Sequence, residues 1–440
     1  MIAANIGKIF LEAYNEKHKS NYSAKEFFVE KYYSVFYDHN KYLMSAGNSP
    51  LENPKISWDK MRSGKMPYES KEKRQERFLK TIDKIEHEKA DASIAIGFPS
   101  LGINATTSGQ ITNMELPLKE EEVYLSWIGS GLGIGVQSGL SMLFDNRQIL
   151  LDLYDGWAFY REFLNKMPQL RGNQINTWNG QWLAHRYNKM VYDELAPMAS
   201  FEPFETMQDG GIEIATQSWV KVLTGIAYKY PNSTMTAYVY SLGQTNTTIG
   251  FIPFELPRIR KPFDLYRKYF GTTKNDILNA IFGTAIGFTK ACQMGAIGIN
   301  ALEPKGFRDC LEKGIMPKYN ATNEEKKISF NTYQIWLLSM LNNEQLWDES
   351  LKIATALSLY SASDKNAKKA KSQEVTNLLA SVNKKQFIEG LAIITNNIQD
   401  STSTSQFSDI AKLMHMMPLD NFPYFLALIK FQYVVVNKQS

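Results

Sequence analysis

Apolar residues recur first at helical spacing, then at strand spacing, then at helical spacing again. Ile2, Ile6, Ile9, Phe10 and Ala13 share one helical face, and Phe27, Phe28, Tyr32, Val35 and Phe36 form a second stripe, so residues 1–45 read as helices. Asn48-Ser49-Pro50 and Asn53-Pro54 end that pattern. Lys71–Lys89 carries dense charge around Phe78, Ile82 and Ile85, the signature of a solvated amphipathic helix. From Ala92 the runs shorten: Ser93–Phe98 is closed by Pro99, and Glu120–Trp127 leads into Gly129–Gly139. Leu140–Phe163 then reads as one aromatic-rich helix. Thr234–Ser241 alternates Thr236, Tyr238 and Tyr240 with Ala237 and Val239, which predicts a strand. Gly243-Gln244-Thr245-Asn246 would turn the chain into a returning strand over Thr247–Phe254.

Past Asn320 the pattern is helical throughout. Tyr333, Trp336, Leu337, Met340 and Leu341 form one stripe, Phe387, Leu391, Ile394 and Ile398 a second, and Phe407, Ile410, Met414 and Met417 a third. The predicted class is therefore α+β. A mixed domain with a β-hairpin or sheet spans residues 1–320, its core at 92–270, and an α-helical bundle follows over residues 321–440.

The glycine stretch needs its own explanation, because glycine costs folding entropy wherever turning or close approach does not require it. Gly129, Gly131, Gly133 and Gly135 alternate with small or aliphatic residues, and Gly139 follows. A dinucleotide fingerprint needs Gly-x-Gly-x-x-Gly, but Val136 or Ser138 stands at the third glycine position. A P-loop ends in Gly-Lys-Ser/Thr, whereas Gly139 precedes Leu140 and Ser141. The four alternating glycines are thus candidates for close approach to another molecule or another helix. A nucleotide-binding enzyme using the Gly129–Gly139 loop is the weaker alternative, and a tightly packed core segment is the structural one.

Composition narrows the class. The chain has 440 residues, 44% hydrophobic and 21% charged, as a folded protein does. A net charge of +4 does not announce a nucleic-acid binder, so local clusters carry more weight than the total. Two cysteines, Cys292 and Cys310, exclude a disulfide framework. Met1–Ile9 is short and followed by Glu12 and Glu16, unlike a signal peptide. The apolar run Ile281–Leu302 is interrupted by Lys290 and four glycines, unlike a membrane span. The expected location is cytoplasmic, with no membrane partner.

Catalytic chemistry finds little support. None of the five histidines has metal-ligand spacing, and His185, alone in a motif-rich region, reads as structural. Asp145, Asp152 and Asp155 read as helix surface or caps. Ala105-Thr106-Thr107-Ser108-Gly109 has the spacing of a Cys-x-x-Cys-Gly zinc knuckle without the thiolates. Neither metal nor cofactor is expected, and no enzymatic activity.

Amides, aromatics and cations are another matter. Arg171–Trp182 holds Asn173, Gln174, Asn176, Asn179 and Gln181 with Trp178, Trp182 and Arg171. Amides present donor and acceptor side by side and can read base edges; tryptophans stack on bases, and arginine takes a phosphate. Asn and Gly are also turn residues, so a structural segment with satisfied amides is the alternative. The hairpin tip repeats the chemistry with Gln244, Thr245 and Asn246. Arg258, Arg260, Lys261, Arg267 and Lys268 concentrate positive charge beyond it, and Lys365, Lys368, Lys369 and Lys371 form a later cluster.

Taken together, Ile96-Gly97-Phe98-Pro99-Ser100-Leu101-Gly102-Ile103-Asn104, Tyr124–Gly131, Gly172-Asn173-Gln174, Trp178–Trp182 and Tyr240–Thr248 resemble the large subunit of type I-B CRISPR effector complexes (Cascade), over residues 92–270. The resemblance implies a non-catalytic subunit of an antiviral ribonucleoprotein complex. Such a subunit contacts the guide RNA 5′ end, recognises the protospacer-adjacent motif on target duplex DNA, and helps recruit a separate helicase-nuclease. Its partners would be the guide RNA, that DNA, and the backbone, foot and small subunits. Many members of the family carry Cys-x-x-Cys motifs, but Ala105 and Ser108 remove that zinc site here. The family also implies a C-terminal bundle related to the small subunit, with Lys368 and Lys369 as strand contacts. A separate small subunit started internally at Met316, downstream of Glu312-Lys313-Gly314, is a further expectation of that resemblance.

Overall fold

The computed structural model describes residues 1–47, 49–52, 58–88, 94–97, 119–241, 247–271, 275–312, 315–320, 322–364, 367–398 and 401–439. The hairpin tip with Gln244, Thr245 and Asn246, the Ala105–Gly109 spacing, residues 98–104 of the family motif, and Lys365 lie outside them. The chain forms two compact units, Met1–Leu256 with Phe288–Ala296, and Pro257–Gly287 with Ile297–Ser440. The architecture is mixed α+β with a helical C-terminal region, as the hydrophobic pattern predicts.

In the first unit, α1 (Ile2–His18) buries Ile6, Phe10 and Ala13. A helical run over Ala24–Phe27, Phe28–Tyr32 and Tyr33–Phe36 opens on a capping box between Ser23 and Glu26, and its middle turn is π-helical. The short α2 (Trp58–Arg62) and the charged α3 (Lys71–His87) follow; α3 buries only Phe78, Thr81 and Ile85. Next comes α4 (Glu120–Ser130), almost wholly buried past its acidic first turn.

The glycine stretch then becomes a hairpin. Strand β1 (Ile134–Val136) pairs antiparallel with β2 (Leu140–Phe144), and Ser138 and Gly139 turn between them at φ 78° and 67°. Leu140–Phe144 was expected as the start of a helix. It is a strand buried on both faces, and a short apolar run has no periodicity to distinguish the two. The helix begins later as α5 (Arg147–Lys166), capped by Asn146, and α6 (Ile175–Arg186) holds the amide–tryptophan segment. Strands β3 (Phe204–Thr206) and β4 (Ile212–Ile214) form a separate pair, followed by α7 (Trp219–Lys229). The expected hairpin is present as β5 (Thr234–Ser241) and β6 (Thr247–Glu255), with a bulge between Val239 and Tyr240. It completes a four-stranded antiparallel sheet of order β1-β2-β5-β6.

In the second unit, α8 (Leu256–Phe270) precedes α9 (Glu324–Leu341), α10 (Gln345–Ala362), α11 (Lys368–Leu379), α12 (Lys384–Asn396), α13 (Ser401–Met416) and α14 (Phe422–Gln439). The stripes Phe387–Leu391–Ile394 and Phe407–Ile410–Met414 are buried as predicted. Most of residues 257–320 packs with these helices instead of the mixed region. The Trp336 indole donates to the Ile299 carbonyl at 3.0 Å, and Phe307 sits edge-on to Trp336 and against Phe431. A polypeptide started at Met316 would lack both Ile299 and Phe307.

Candidate nucleic-acid interface

The alternating glycines occupy a seam at which α1, α6 and neighbouring side chains approach too closely for any Cβ. A Cβ on Gly129 would lie 1.9 Å from the Ala3 carbonyl oxygen, and one on Gly7 would lie 2.1 Å from that of Leu125, so α1 and α4 cross backbone to backbone. Gly131 abuts the Phe36 and Trp157 rings, and Gly133 the Tyr240 hydroxyl and Asn176 side chain. Gly135 abuts the Asn176 backbone, while a Cβ on Gly180 would stand 2.1 Å from the Gly135 oxygen. The close-approach reading of Gly129, Gly131, Gly133 and Gly135 is met from within the chain. These four glycines offer no open face to a nucleotide, whereas Gly139 has nothing against it and forms the hairpin turn.

Two of the five amides, Asn176 and Asn179, serve the same seam. Asn179 is completely buried, and its Nδ2 donates to the Gly131 and Gly133 carbonyls at 2.8 and 2.9 Å. That is a correction to its reading as a base-reading side chain: a turning glycine backbone leaves carbonyls that need donors, and Asn179 supplies them. Asn176 Nδ2 donates to Ser141 Oγ at 3.1 Å, Gln181 Nε2 to the Ala215 carbonyl at 2.6 Å, and Gln174 Oε1 accepts from Ile214 N–H at 3.2 Å. These three are half-buried and engaged within the first unit. Trp178 and Trp182 are also interior, donating to the carbonyls of Gly156 at 2.9 Å and Asp152 at 2.7 Å. Neither is placed to stack on a base.

His185 is buried against Phe201, with Nε2 2.9 Å from the Pro197 carbonyl, and burial lowers its pKa, so the neutral ring donates to that carbonyl. Asp152 is not on the helix surface. It is buried, paired with Arg186 at 2.8 Å and accepting from the Tyr187 hydroxyl at 2.8 Å.

The remaining predicted residues separate into three places. Arg171 and Asn173 lie at the N-terminal approach to α6. Asn173 is exposed in the left-handed region at φ 61°, and its N–H donates to the Tyr42 carbonyl at 2.9 Å. Arg171 pairs with Asp209 at 2.8 Å and Glu213 at 3.3 Å, and Asp209 also takes Arg62 at 3.1 Å. The Gly211 N–H, with Arg62 and Arg171, holds the Asp209 carboxyl below its usual range.

These residues border a pocket of about 150 Å³, lined by Lys41, Tyr42, Trp58, Arg62, Tyr68 and Asn173 among others. Lys41 is buried and donates to the Met167 and Leu170 carbonyls at 2.7 and 2.9 Å. Burial, then Arg161 and Arg62, pull its pKa down to about 8. Sequence reasoning missed Lys41, Tyr42, Trp58, Arg62 and Tyr68, because they are scattered over residues 41–68. A signal was available in the basic and aromatic residues flanking the Asn53-Pro54 breaker.

Helix α8 supplies the second place. It buries Ile259, Phe263, Leu265 and Tyr266 and turns Arg258, Arg260, Lys261, Arg267 and Lys268 toward its polar side, with Asp264 as its acid. Arg260 pairs with Asp264 at 2.8 Å, Lys261 donates to Asn342 Oδ1 at 2.7 Å, and Lys268 pairs with Glu344 at 2.6 Å. The third place is the exposed first turn of α11 with Lys368 and Lys369; Lys371 in the next turn donates to Ser363 Oγ at 2.8 Å.

Among the described residues, no group of three or more His, Cys, Asp or Glu is placed to hold a metal ion, and no helix is long and apolar enough to cross a membrane. In comparisons with known proteins, no family model, no curated protein and no solved structure matches this chain.

Proposed function

We propose that this chain is the non-catalytic large subunit of a type I-B CRISPR effector complex, contacting the guide RNA and reading a short motif on target duplex DNA. In that role it works in the cytoplasm beside the backbone, foot and small subunits and helps recruit a helicase-nuclease. Guide pairing would supply most of the sequence information, leaving the protein a few base pairs and the backbone to recognise. The sequence resemblance over residues 92–270 motivates the reading.

The observation that carries it is the concentration of Arg258, Arg260, Lys261, Arg267 and Lys268 on α8, which holds one acid of its own, Asp264, with Glu344 pairing Lys268 from a neighbouring helix. Such a density of cations suits a phosphate backbone. Lys368 and Lys369 support it too. They sit in the first turn of a helix, where the positive end of the macrodipole disfavours cations unless an anion is near.

The test is fluorescence anisotropy of a labelled DNA duplex across a salt series. Removing Arg258 and Lys261 together by Gln should weaken binding on every sequence and flatten the salt slope by about 0.9 per lost phosphate contact. Unchanged affinity and slope would contradict it. Copurification of an RNA of uniform length would support the complex.

A scaffold without nucleic-acid contacts is the second reading, favoured by the inward engagement of Asn176, Asn179 and Gln181. It predicts no duplex binding at all.

A further inference from the structure

A second pocket, of about 560 Å³, opens beside α5 in the first unit. Tyr154, Asp155 and Phe159 line it from the helix, and Tyr192, Glu194 and Pro197 from the loop over residues 188–200. That loop is firmly anchored. His185 Nε2 donates to the Pro197 carbonyl at 2.9 Å, Arg186 donates to the Tyr192 hydroxyl at 3.2 Å, and the Tyr192 ring stands edge-on to Trp182. The Leu195 N–H donates to Asp193 Oδ1 at 2.9 Å, which fixes the turn there.

On this anchored backbone Leu195 is 97% exposed, Met190 70% and Val191 41%. A single exposed leucine needs no explanation, but three large apolar side chains in one short loop, beside an open pocket, mark an interaction surface. Its charge selects the partner. Over residues 188–200 Lys189 is the only cation against Asp193 and Glu194. Both acids are exposed, and neither has an ion-pair partner among the described residues. Carboxylates repel the phosphates of nucleic acid and of anionic lipid headgroups, and attract lysine or arginine. The pocket lining already takes one cation in this way: the Arg186 guanidinium lies over the Tyr192 ring, 5.7 Å from its centroid, and pairs with Asp155 at 3.2 Å. In the same lining Glu194 stands without one.

We infer that this pocket and loop dock a segment of a partner protein in which lysine or arginine stands beside apolar residues. The cation pairs with Glu194 next to the Tyr192 ring, and the apolar residues cover Leu195 and Met190. Apolar anchors bordered by charge are the usual anatomy of a protein interface, and a pre-set loop lowers the ordering cost of forming one. The inference does not rest on the nucleic-acid reading proposed above, because it uses other residues and the opposite charge.

The experiment pans the immobilised full chain against a phage library of random dodecapeptides, then measures the enriched peptide, synthesised with a fluorescent label, by anisotropy. Enriched sequences should carry lysine or arginine next to leucine or an aromatic residue. Leu195→Ser should weaken the labelled peptide about tenfold, as loss of one interface anchor does. Glu194→Gln should weaken it about threefold and flatten its salt dependence. Both positions are exposed, so the fold should persist, and circular dichroism checks it. Enrichment of acidic peptides, no enrichment over the bare support, or a peptide affinity that neither variant changes would overturn the inference. So would binding of phosphatidylglycerol vesicles or of a DNA duplex that Leu195→Ser abolishes, since the face would then belong to a membrane or to nucleic acid. Failure of the duplex test on Arg258 and Lys261 leaves the docking site standing, because the two proposals share no residue.

Discussion

The seam around Gly129–Gly135 and the helix α8 use polar residues in opposite ways. In the seam, Asn176 and Asn179 turn inward and bond to serine or backbone carbonyls where the glycines open space, and next to it Gln181 bonds the Ala215 carbonyl. In α8, the apolar residues turn inward and the cations are left on the polar side. An amide-rich stretch and a lysine–arginine stretch both look like nucleic-acid chemistry in a sequence. In the first, Asn176, Asn179 and Gln181 are drawn inward and Asn173 stays exposed; the second lies at a surface. An amide carries no charge, so Asn176 and Asn179 can be turned inward with the Nδ2 donor bonded and the Oδ1 acceptor left without a partner in the protein, whereas a buried cation costs several kcal/mol unless paired.

The largest effect should come from the glycines. Gly180→Ala would drive a Cβ into the Gly135 carbonyl at 2.1 Å, backbone against backbone, so neither partner can rotate away. We expect a loss of about 3 kcal/mol in chemical denaturation, the upper range for overpacking a core. A change below 0.5 kcal/mol would mean that the seam is loose and the contrast with α8 false.

A pH dependence comes from outside the seam, at the half-buried His39. His39 is pulled down to about 4, chiefly by burial and then by Arg161, against the opposing pull of the Ser34 carbonyl and Asp38. Its folded pKa lies below the unfolded value of 6.5, so the unfolded chain binds the proton more readily between the two. Stability should therefore fall as pH drops from about 6.5 toward 4, and His39→Asn should remove that part of the slope. An identical pH profile for the variant would rule out His39 as its source.

The smallest stability effect belongs to α8. Replacing Arg258 and Lys261 by Gln should leave stability within about 0.5 kcal/mol, since surface changes rarely exceed that. A larger loss would show that these cations hold the unit together, and would remove the reason to assign them to a partner.

The parts legible in the sequence were those with a clear period. The β5–β6 hairpin was visible because Thr236, Tyr238 and Tyr240 alternate with Ala237 and Val239, and the C-terminal stripes because helical spacing repeats. Strand β2 was hidden, since Leu140–Phe144 is buried on both faces and carries no alternation. Among the candidate residues, Asn173 and Asn179 are the same residue type six positions apart. Helix α6 starts between them, leaving Asn173 exposed and burying Asn179. The pocket was illegible for another reason: it unites residues 41–68 with 170–173, and no local pattern records that meeting.

Asn179→Ala tests the contrast most directly, with thermal unfolding and duplex affinity measured on one sample. If Asn179 works only inside the seam, the Gly131 and Gly133 carbonyls lose their donor, stability falls by about 2 kcal/mol, and the folded fraction binds DNA with unchanged affinity and sequence preference. An unchanged unfolding midpoint together with a lost sequence preference would contradict it and return Asn179 to the DNA.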